Sequence, residues 1–409
     1  MKVFGTHDEK TLAQMREVAD GAVHSALMAD GHYGYGMPIG GVAAYRNQVS
    51  PTGVGFDIAC GNCAVKLDDT ANLGPMRYWS HLGREIQNTF AFGVGRANEH
   101  PNAPTDHRLF DSSIWDVIPR CVTKPNGKQW GMEALRQRAR TQLGSIGSGN
   151  HYVDIFAGDD GHVWIGVHFG SRGMGHAIAT WGMAAAMGGT WGDPAKESHE
   201  LLDLDTETGA QYWALMCLAG AYAYAGREWV CETVAEMIGG EIVDTVHNNH
   251  NFAWKEDHFG EDLVVVRKGA TPAMPGMRGF VGGSMGDEAV ILHGALRDDM
   301  DGAQRGSLYS TVHGAGRVMS RTDATGCNRR GKQIRDPRID RVEMQQWIDD
   351  RGVLVFGADL DESPGAYRRL PDVLAEQGDT VEVETILTPL VVVMASGENE
   401  LNPFLKEAK

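Results

Sequence analysis

His313 opens the run His-Gly-Ala-Gly-Arg-Val-Met-Ser-Arg, residues 313 to 321, in which an imidazole is followed by two glycines and by two arginines, Arg317 and Arg321. The glycines leave peptide N–H groups open to close approach by phosphate oxygens, and each guanidinium offers forked, permanently charged donors to the same oxygens. These are the neighbours that an imidazole accepting a phosphoryl group requires. The plainer alternative is a tight turn whose histidine caps a helix and whose arginines face water.

Four other segments carry residue types with chemistry. Asp57 and Cys60 lie in Gly-Val-Gly-Phe-Asp-Ile-Ala-Cys-Gly-Asn-Cys, Asn150-His151 follows Gly-Ser-Ile-Gly-Ser-Gly, His168 opens His-Phe-Gly-Ser-Arg-Gly, and His247 precedes Asn248-Asn249. A carboxylate, a thiolate and three imidazoles suffice to hold two divalent metals if the thiolate bridges them, each metal keeping open positions for a substrate. A closed structural zinc site more often shows two short-spaced ligand pairs, and Cys60-x-x-Cys63 has no second such pair. Singly, each residue has a duller alternative: a redox pair or buried thiols for Cys60 and Cys63, a turn cap for Asp57, and hydrogen-bonded loop or core histidines for His151 and His168. Spacing alone does not show that residues so far apart converge.

The elements that would position them follow from periodicity. Thr6 and Glu9 form a capping-box pattern, and Leu12, Met15, Val18, Val23 and Leu27 predict a helix over residues 8 to 28. A longer helix is predicted from Thr208 to Ile238, ending at Gly239-Gly240, with shorter ones at 131 to 142 and 342 to 350. Apolar, β-branched runs predict strands at Val163 to Val167, Leu263 to Val266, Val353 to Phe356 and Val381 to Val393. This mixture has no regular βαβ rhythm and reads as α+β.

The chain has 409 residues, 42% of them hydrophobic, with no Pro/Ser-rich linker or fixed-period repeat, so one large domain over residues 1 to 409 is expected. Glycine, at 53 residues, exceeds its usual share of about 7% and suggests a site assembled from loops. A net charge of −17 argues against indiscriminate polyanion binding but leaves room for a local basic groove. Two stretches offer one: Arg317, Arg321, Arg329, Arg330, Lys332, Arg335, Arg338 and Arg341, and Arg120, Lys124, Lys128, Arg136, Arg138 and Arg140. Each could equally be a solvated face. Six cysteines do not look like a disulfide framework, and no signal-type segment or long apolar run is evident, so a soluble, cytoplasmic protein without membrane association is expected.

In order along the chain stand Ala-Asp-Gly-His-Tyr-Gly-Tyr-Gly-Met-Pro-Ile-Gly-Gly (29 to 41), Asp57-x-x-Cys60-Gly, Gly-Ser-Gly-Asn-His (147 to 151), Val-His-Phe-Gly-Ser-Arg-Gly-Met-Gly-His (167 to 176), His247-Asn248, Arg-Lys-Gly-Ala-Thr (267 to 271), Gly-Ser-Met-Gly (283 to 286) and His-Gly-Ala-Gly-Arg (313 to 317). Taken together they resemble the family of RtcB-type RNA ligases, the 3′-phosphate RNA-splicing and repair ligases that use GTP and manganese. The similarity runs from about Asp30 to Val393, leaving a tail at about 396 to 409 outside it.

The resemblance implies that His313 becomes covalently guanylylated and passes GMP to an RNA 3′-phosphate, which a 5′-hydroxyl then attacks. A 2′,3′-cyclic phosphate would first be opened by water. It implies two Mn²⁺ ions, one held by Asp57, Cys60 and His151, the other by Cys60, His168 and His247. Thiolate and imidazole by themselves would suggest zinc or iron. It places Asn150, His151, Tyr152, Val153, Asp154, His247, Asn248, Gly282, Gly283, Ser284, Met285, His313, Gly314, Ala315, Gly316 and Tyr367 at the nucleotide. Asp30 would stand near the acceptor end, assisting the 5′-hydroxyl or serving as a turn aspartate, and Arg172, Arg317 and Arg321 would meet RNA phosphate. The implied partners are RNA ends, tRNA halves among them. A monomer is the default, and a need for an activating protein is left open.

The chain departs from the family at the base. The usual Val-Val-Lys-Gly at the last strand is Val392-Val393-Met394-Ala395, and Met394 has no donor to offer a base. Ala289 replaces a serine, Asp154 a glutamate and Gly282 a proline, while Tyr367 keeps a stacking partner. The departures imply that nucleotidylation survives while guanine selectivity is weakened or altered. The runner-up is a dinuclear metal phosphoesterase acting on RNA ends without ligation, and a third reading is a noncatalytic RNA-end binding protein.

Overall fold

The computed structural model describes residues 1–68, 75–117, 122–123, 129–296, 302–329 and 332–396. Its β-branched runs pair into two main sheets, with helices on their faces, as the α+β reading expects. The larger sheet runs, in spatial order, through Ile242–Asn249, Gly61–Leu67, Val163–Phe169, Tyr152–Gly158, Val381–Ser396, Ala289–Gly294 and Arg278–Val281, with Leu354–Ala358 pairing in parallel to Val381–Ser396. It curls until its ends meet: Asn248 Oδ1 accepts from the Phe280 N–H (2.9 Å) and Asn62 Nδ2 donates to the Phe280 carbonyl (2.7 Å). The smaller sheet contains Lys2–Val3, His24–His32, Ile39–Tyr45, Glu261–Lys268 and Asn251–His258. Only His250 separates the last strand of one sheet from the first strand it enters in the other.

Register decides which side chains the larger sheet turns inward. Asn248 pairs with Asn62, Asn62 with His168, His168 with Tyr152 and Tyr152 with Met394, so these five stand in one row on one face. The neighbouring row, His247, Cys63, Val167, Val153 and Val393, necessarily points to the other face. There Cys63, Val153, Val167 and Val393 pack in a core with Val230, Cys231 and Val234 of the long helix Glu207–Ile238. That helix starts at a Thr206 cap whose hydroxyl accepts from the Gly209 N–H and ends at Gly239 in the left-handed conformation (φ 82°), close to the predicted limits.

The other predicted elements hold with shifted ends: Met132–Gln142, Arg341–Arg351, Val163–Phe169, Glu261–Lys268, Leu354–Ala358 and Val381–Ser396. The helix predicted over 8 to 28 is shorter. Asp8, not Thr6, caps it through the Thr11 N–H (2.9 Å), it spans Glu9–Asp20, and Gly21 ends it. Val23 and Leu27, read as its last apolar positions, belong to the approach and body of the strand His24–His32. No helix among the described residues is long and apolar enough to cross a membrane. The tail from 397, like Arg120, Lys124, Lys128 and Arg330 of the basic stretches, lies outside the described residues.

The smaller sheet is held by a buried ion cluster. Glu256 accepts from Arg267 Nη1 (2.7 Å) and Nη2 (3.0 Å) and pairs with His258 (2.7 Å). Burial alone would raise the Glu256 pKa, but Arg267 and His258 outweigh it and hold it at about 2. Its unfolded value is about 4.3, so its contribution is present above that pH and is lost as pH falls toward 2. Glu256→Gln leaves the fully buried Arg267 short of a counter-ion and is expected to lower stability at neutral pH by roughly 3–5 kcal/mol. Urea midpoints measured across pH should then show a flatter acid limb below about pH 5 than wild type.

Candidate active site

A cavity of about 390 Å³ opens where the two sheets meet. Asp57 and Cys60 enter it from the turn after the short helix Pro51–Val54, closed by a Cys60 N–H to Asp57 carbonyl bond (3.0 Å). Gly170 is required beside it, because a Cβ there would collide with the Asp57 carboxylate. His151 Nε2 lies 3.1 Å from Asp57 Oδ2 and 3.6 Å from Cys60 Sγ, and His168 Nε2 lies 3.6 Å from the same sulfur. Cys60, His151 and His168 are buried, with ligand atoms all within 4.8 Å of one another.

The far sides of both rings are tied. His151 Nδ1 is 3.0 Å from the Ile146 carbonyl and His168 Nδ1 is 2.6 Å from Asn62 Oδ1. A carbonyl oxygen demands the proton on Nδ1; on His168 this leaves the Nε2 lone pair facing the thiol, while His151 Nε2 faces Asp57 as well. Arg172 Nη1, 3.2 Å from His151 Nδ1, cannot donate to the same protonated nitrogen and serves as a neighbouring charge. Burial drives the His168 pKa well below the ordinary imidazole range. Burial, with Asp57 beside it, pushes the Cys60 thiol up, whereas a coordinated cation would deprotonate it. Burial would also raise Asp57, but its contacts with His151 hold it at about 2. One thiol, one carboxylate and two converging imidazoles form a donor set that fits borderline divalent metals.

His313 follows the strand Ser310–Val312 on the opposite wall. Asp30 Oδ2 takes His313 Nδ1 at 2.5 Å, the His313 N–H at 2.9 Å and the Gly314 N–H at 3.3 Å, while Oδ1 is buried without a partner. Gly316 (φ 71°) lets the loop lie against the Asp30 backbone. Asp30 thus holds the His313 ring through Nδ1 and ties the loop that follows it.

Several expected residues stand elsewhere. His247 lies in the row facing the long helix: it stacks on Tyr224 (3.7 Å between centroids), and its Nε2 accepts from Arg227 Nε (2.8 Å). Val153 shares that face and is fully buried, so the period of two puts both behind the sheet. Asn248 is on the inner face, with its carbonyl spent on Phe280 and outside the cavity lining. Arg317 and Arg321 line the cavity but are paired. Arg317 donates to Tyr367 Oη (2.8 Å) and the Asp361 carbonyl (2.7 Å), Arg321 pairs with Asp361 (2.6 Å) and Glu362, and Tyr367 donates to Glu362. Beyond them, Arg335 pairs with Asp323 and Arg341 lies 3.9 Å from Asp359.

Asn150, Tyr152, Asp154, Gly282, Gly283, Ser284, Met285, Gly314, Ala315, Gly316 and Tyr367 all line the cavity. Missing from the sequence reading are His250 and Asn251. His250 is stacked on His168 (5.1 Å), edge-on to His313 (4.9 Å), with Nδ1 buried and unpartnered, and burial holds its pKa well below the ordinary range. Asn251 Oδ1 accepts from the Gly269 N–H (2.7 Å). The available signal was a second His-Asn pair three residues after the first. His32, quoted within a motif but given no role, also lines the cavity.

Known proteins resemble the chain over most of its length. The sequence model of a family described as "tRNA-splicing ligase RtcB" matches residues 11–395. The RNA-splicing ligase RtcB of Escherichia coli (strain K12) is 30% identical over 396 residues, 90% of this chain and 90% of that protein. The tRNA-splicing ligase RtcB of Thermococcus kodakarensis is 33% identical over 433 residues, covering 86% and 83% respectively. The RNA-splicing ligase RtcB of Mycobacterium tuberculosis is 29% identical over 414 residues, covering 86% and 91%.

Proposed function

Since the chain belongs to the RtcB family, we propose that it is an RNA ligase acting in tRNA splicing or RNA repair, which joins a 3′-phosphate or 2′,3′-cyclic phosphate end to a 5′-hydroxyl through a nucleotidylated His313. The observation that carries this reading is the Asp30 to His313 contact (2.5 Å) on the wall facing the Cys60, His151 and His168 cluster.

Asp30 keeps the proton on His313 Nδ1 and the lone pair on Nε2. Nε2 attacks the α-phosphorus of a nucleoside triphosphate, GTP in the family pattern; the bond to the bridging oxygen breaks and pyrophosphate leaves. The positive charge developing on the ring is balanced by the Asp30 carboxylate, and the Gly314 and Gly316 backbone admits the phosphates closely. An oxygen of the RNA 3′-phosphate then attacks the same phosphorus, breaking the N–P bond and restoring His313. The 5′-hydroxyl oxygen attacks the RNA phosphate, nucleoside monophosphate leaves, and the hydroxyl proton passes to solvent. Two divalent cations, manganese by the family pattern, would neutralise phosphate charge and align the in-line attack when held by Asp57, Cys60, His151, His168 and His250. His250 takes the place expected of His247 because its ring stacks against His168 while His247 faces the helix.

The test uses RNA bearing a 2′,3′-cyclic phosphate and a 5′-hydroxyl with Mn²⁺ and nucleoside triphosphates. Joined strands are expected; hydrolysed ends alone would favour a phosphoesterase. Asp30→Asn removes the charge and presents an amide N–H to His313 Nδ1 in one rotamer, so the rate of His313 nucleotidylation is expected to fall on the order of 10²–10⁴-fold. Quench-flow labelling checks this, with thermal midpoints recorded alongside to separate lost chemistry from lost fold.

A further inference from the structure

We infer that Arg227 is a positioning residue that sets the geometry of one of the two proposed metal sites, the one formed by Cys60, His168 and His250, and not of its neighbour; the inference rests on the ligand set proposed above. Arg227 projects from the long helix Glu207–Ile238 behind the larger sheet and is fully buried. Nη1 donates to the Ala59 carbonyl (2.9 Å) and to the Phe169 carbonyl (2.6 Å), and Nη2 donates to Asn249 Oδ1 (2.6 Å). Each of these three acceptors is one residue away from a proposed ligand: Ala59 from Cys60, Phe169 from His168 and Asn249 from His250. One side chain thus ties together segments 22, 58 and 168 positions away from it, at the points where each delivers a donor atom.

The segments need such a tie because regular pairing runs out there. Phe169 and Asn249 are the last residues of their strands, and Ala59 lies in the turn before the strand Gly61–Leu67 begins. Polar groups at such ends must find partners outside the ladder. Ala59 is also in the left-handed region (φ 58°), which costs a residue with a Cβ roughly 1–2 kcal/mol and persists only where its neighbours fix it. Its N–H donates to the Asn251 carbonyl (2.7 Å) and its carbonyl accepts from Arg227, and together these bonds set the direction in which Cys60 leaves the turn. The guanidinium is itself held from behind: Nε donates to His247 Nε2 (2.8 Å), and its central carbon lies 5.2 Å from the Tyr224 ring centroid.

A guanidinium is a poor choice for filling a core, since burying a charge costs more than burying an apolar side chain of similar volume. Charge neutralisation does not account for Arg227 either. Among the described residues its hydrogen-bond partners are two backbone carbonyls, an amide oxygen and an imidazole, none of them a carboxylate. What arginine alone brings to this position is the planar fork, whose rigid donors meet several oxygens at fixed angles. The other proposed site is tied independently: His151 is anchored through Nδ1 to the Ile146 carbonyl (3.0 Å), and its Nε2 faces Asp57 at 3.1 Å. Loss of the fork therefore falls on how Cys60, His168 and His250 face one another, while Asp57 and His151 keep their contact.

The experiment titrates the full-length protein with Mn²⁺ alone in a calorimeter, and the variants His250→Ala and Asp57→Asn identify the uptake that depends on each site. Arg227→Lys keeps the charge and loses the fork. It is expected to weaken the His250-dependent uptake by about 10–100-fold, the usual cost of losing a partner behind a ligand, and to leave the Asp57-dependent uptake within about threefold of wild type. Asn249→Ala, which removes one acceptor and leaves Arg227 in place, should weaken the same His250-dependent uptake by about threefold or more, and it decides the matter if Arg227→Lys does not fold. Unchanged His250-dependent uptake in these variants, or equal weakening at both sites, overturns the inference and leaves the ligand set standing. A wild-type protein that takes up no Mn²⁺ overturns the proposed metal site, and this inference with it.

Discussion

His313→Ala is expected to reduce RNA end joining by on the order of 10⁴-fold or more, to the background of the metal site acting alone. The size of the effect follows from covalency. If nucleotidyl transfer passes through Nε2, no neighbour replaces it: Asp30 is acceptor only and already bonded to the ring, and His250 sits edge-on at 4.9 Å between centroids, turned toward His168. The side chain lines the cavity and is 16% exposed, so thermal midpoints recorded alongside separate lost chemistry from lost packing. Ligation and cyclic-phosphate opening should therefore separate, since opening by water needs no nucleophilic histidine. The check is a time course on the cyclic-phosphate substrate in which the variant accumulates opened 3′-phosphate ends without joined product.

The second large effect distinguishes two histidines three residues apart. On the proposed ligand set, His250→Ala should lose metal from the site and lower ligation at least about a hundredfold, because it removes a buried imidazole stacked on His168 beside the cluster. His247→Ala should keep its metal. Its cost is structural: the buried Arg227 guanidinium loses an acceptor and Tyr224 its stacked ring, worth roughly 1–3 kcal/mol of stability. Metal content by elemental analysis, together with urea midpoints, reads both outcomes. Metal lost from the His247 variant and retained by the His250 variant would reverse the assignment.

How far the sequence carried can be judged from these same residues. The segments at Asp57, Cys60, His151 and His168 come together in space, as the family resemblance implied and spacing alone did not show, and the α+β class and most strands follow from apolar runs. His247 was misplaced because the choice between two His-Asn pairs depends on strand parity, and parity depends on where one sheet ends and the next begins. His250 occupies that switch, a position without local periodicity. The helix predicted through Leu27 overran for a related reason: its apolar spacing continues into a strand, and only Gly21 and the Asp8 cap mark the limits. The arginines drew attention as free cations, yet Asp361, Glu362 and Tyr367 lie 40 or more residues away from them and neutralise or orient them in space. Asp30 was found by motif, but its bond to His313 spans 283 positions and is invisible to spacing.

The central claim is that His313 itself carries the nucleotide. It is tested most directly by incubating the protein with Mn²⁺ and nucleoside triphosphates in the absence of RNA, digesting it at neutral pH, and mapping the adduct by mass spectrometry. The account predicts one acid-labile phosphoramidate on the peptide containing His313, discharged when RNA with a 3′-phosphate is added. An adduct on any other residue, or one on His313 that RNA does not discharge, would contradict it.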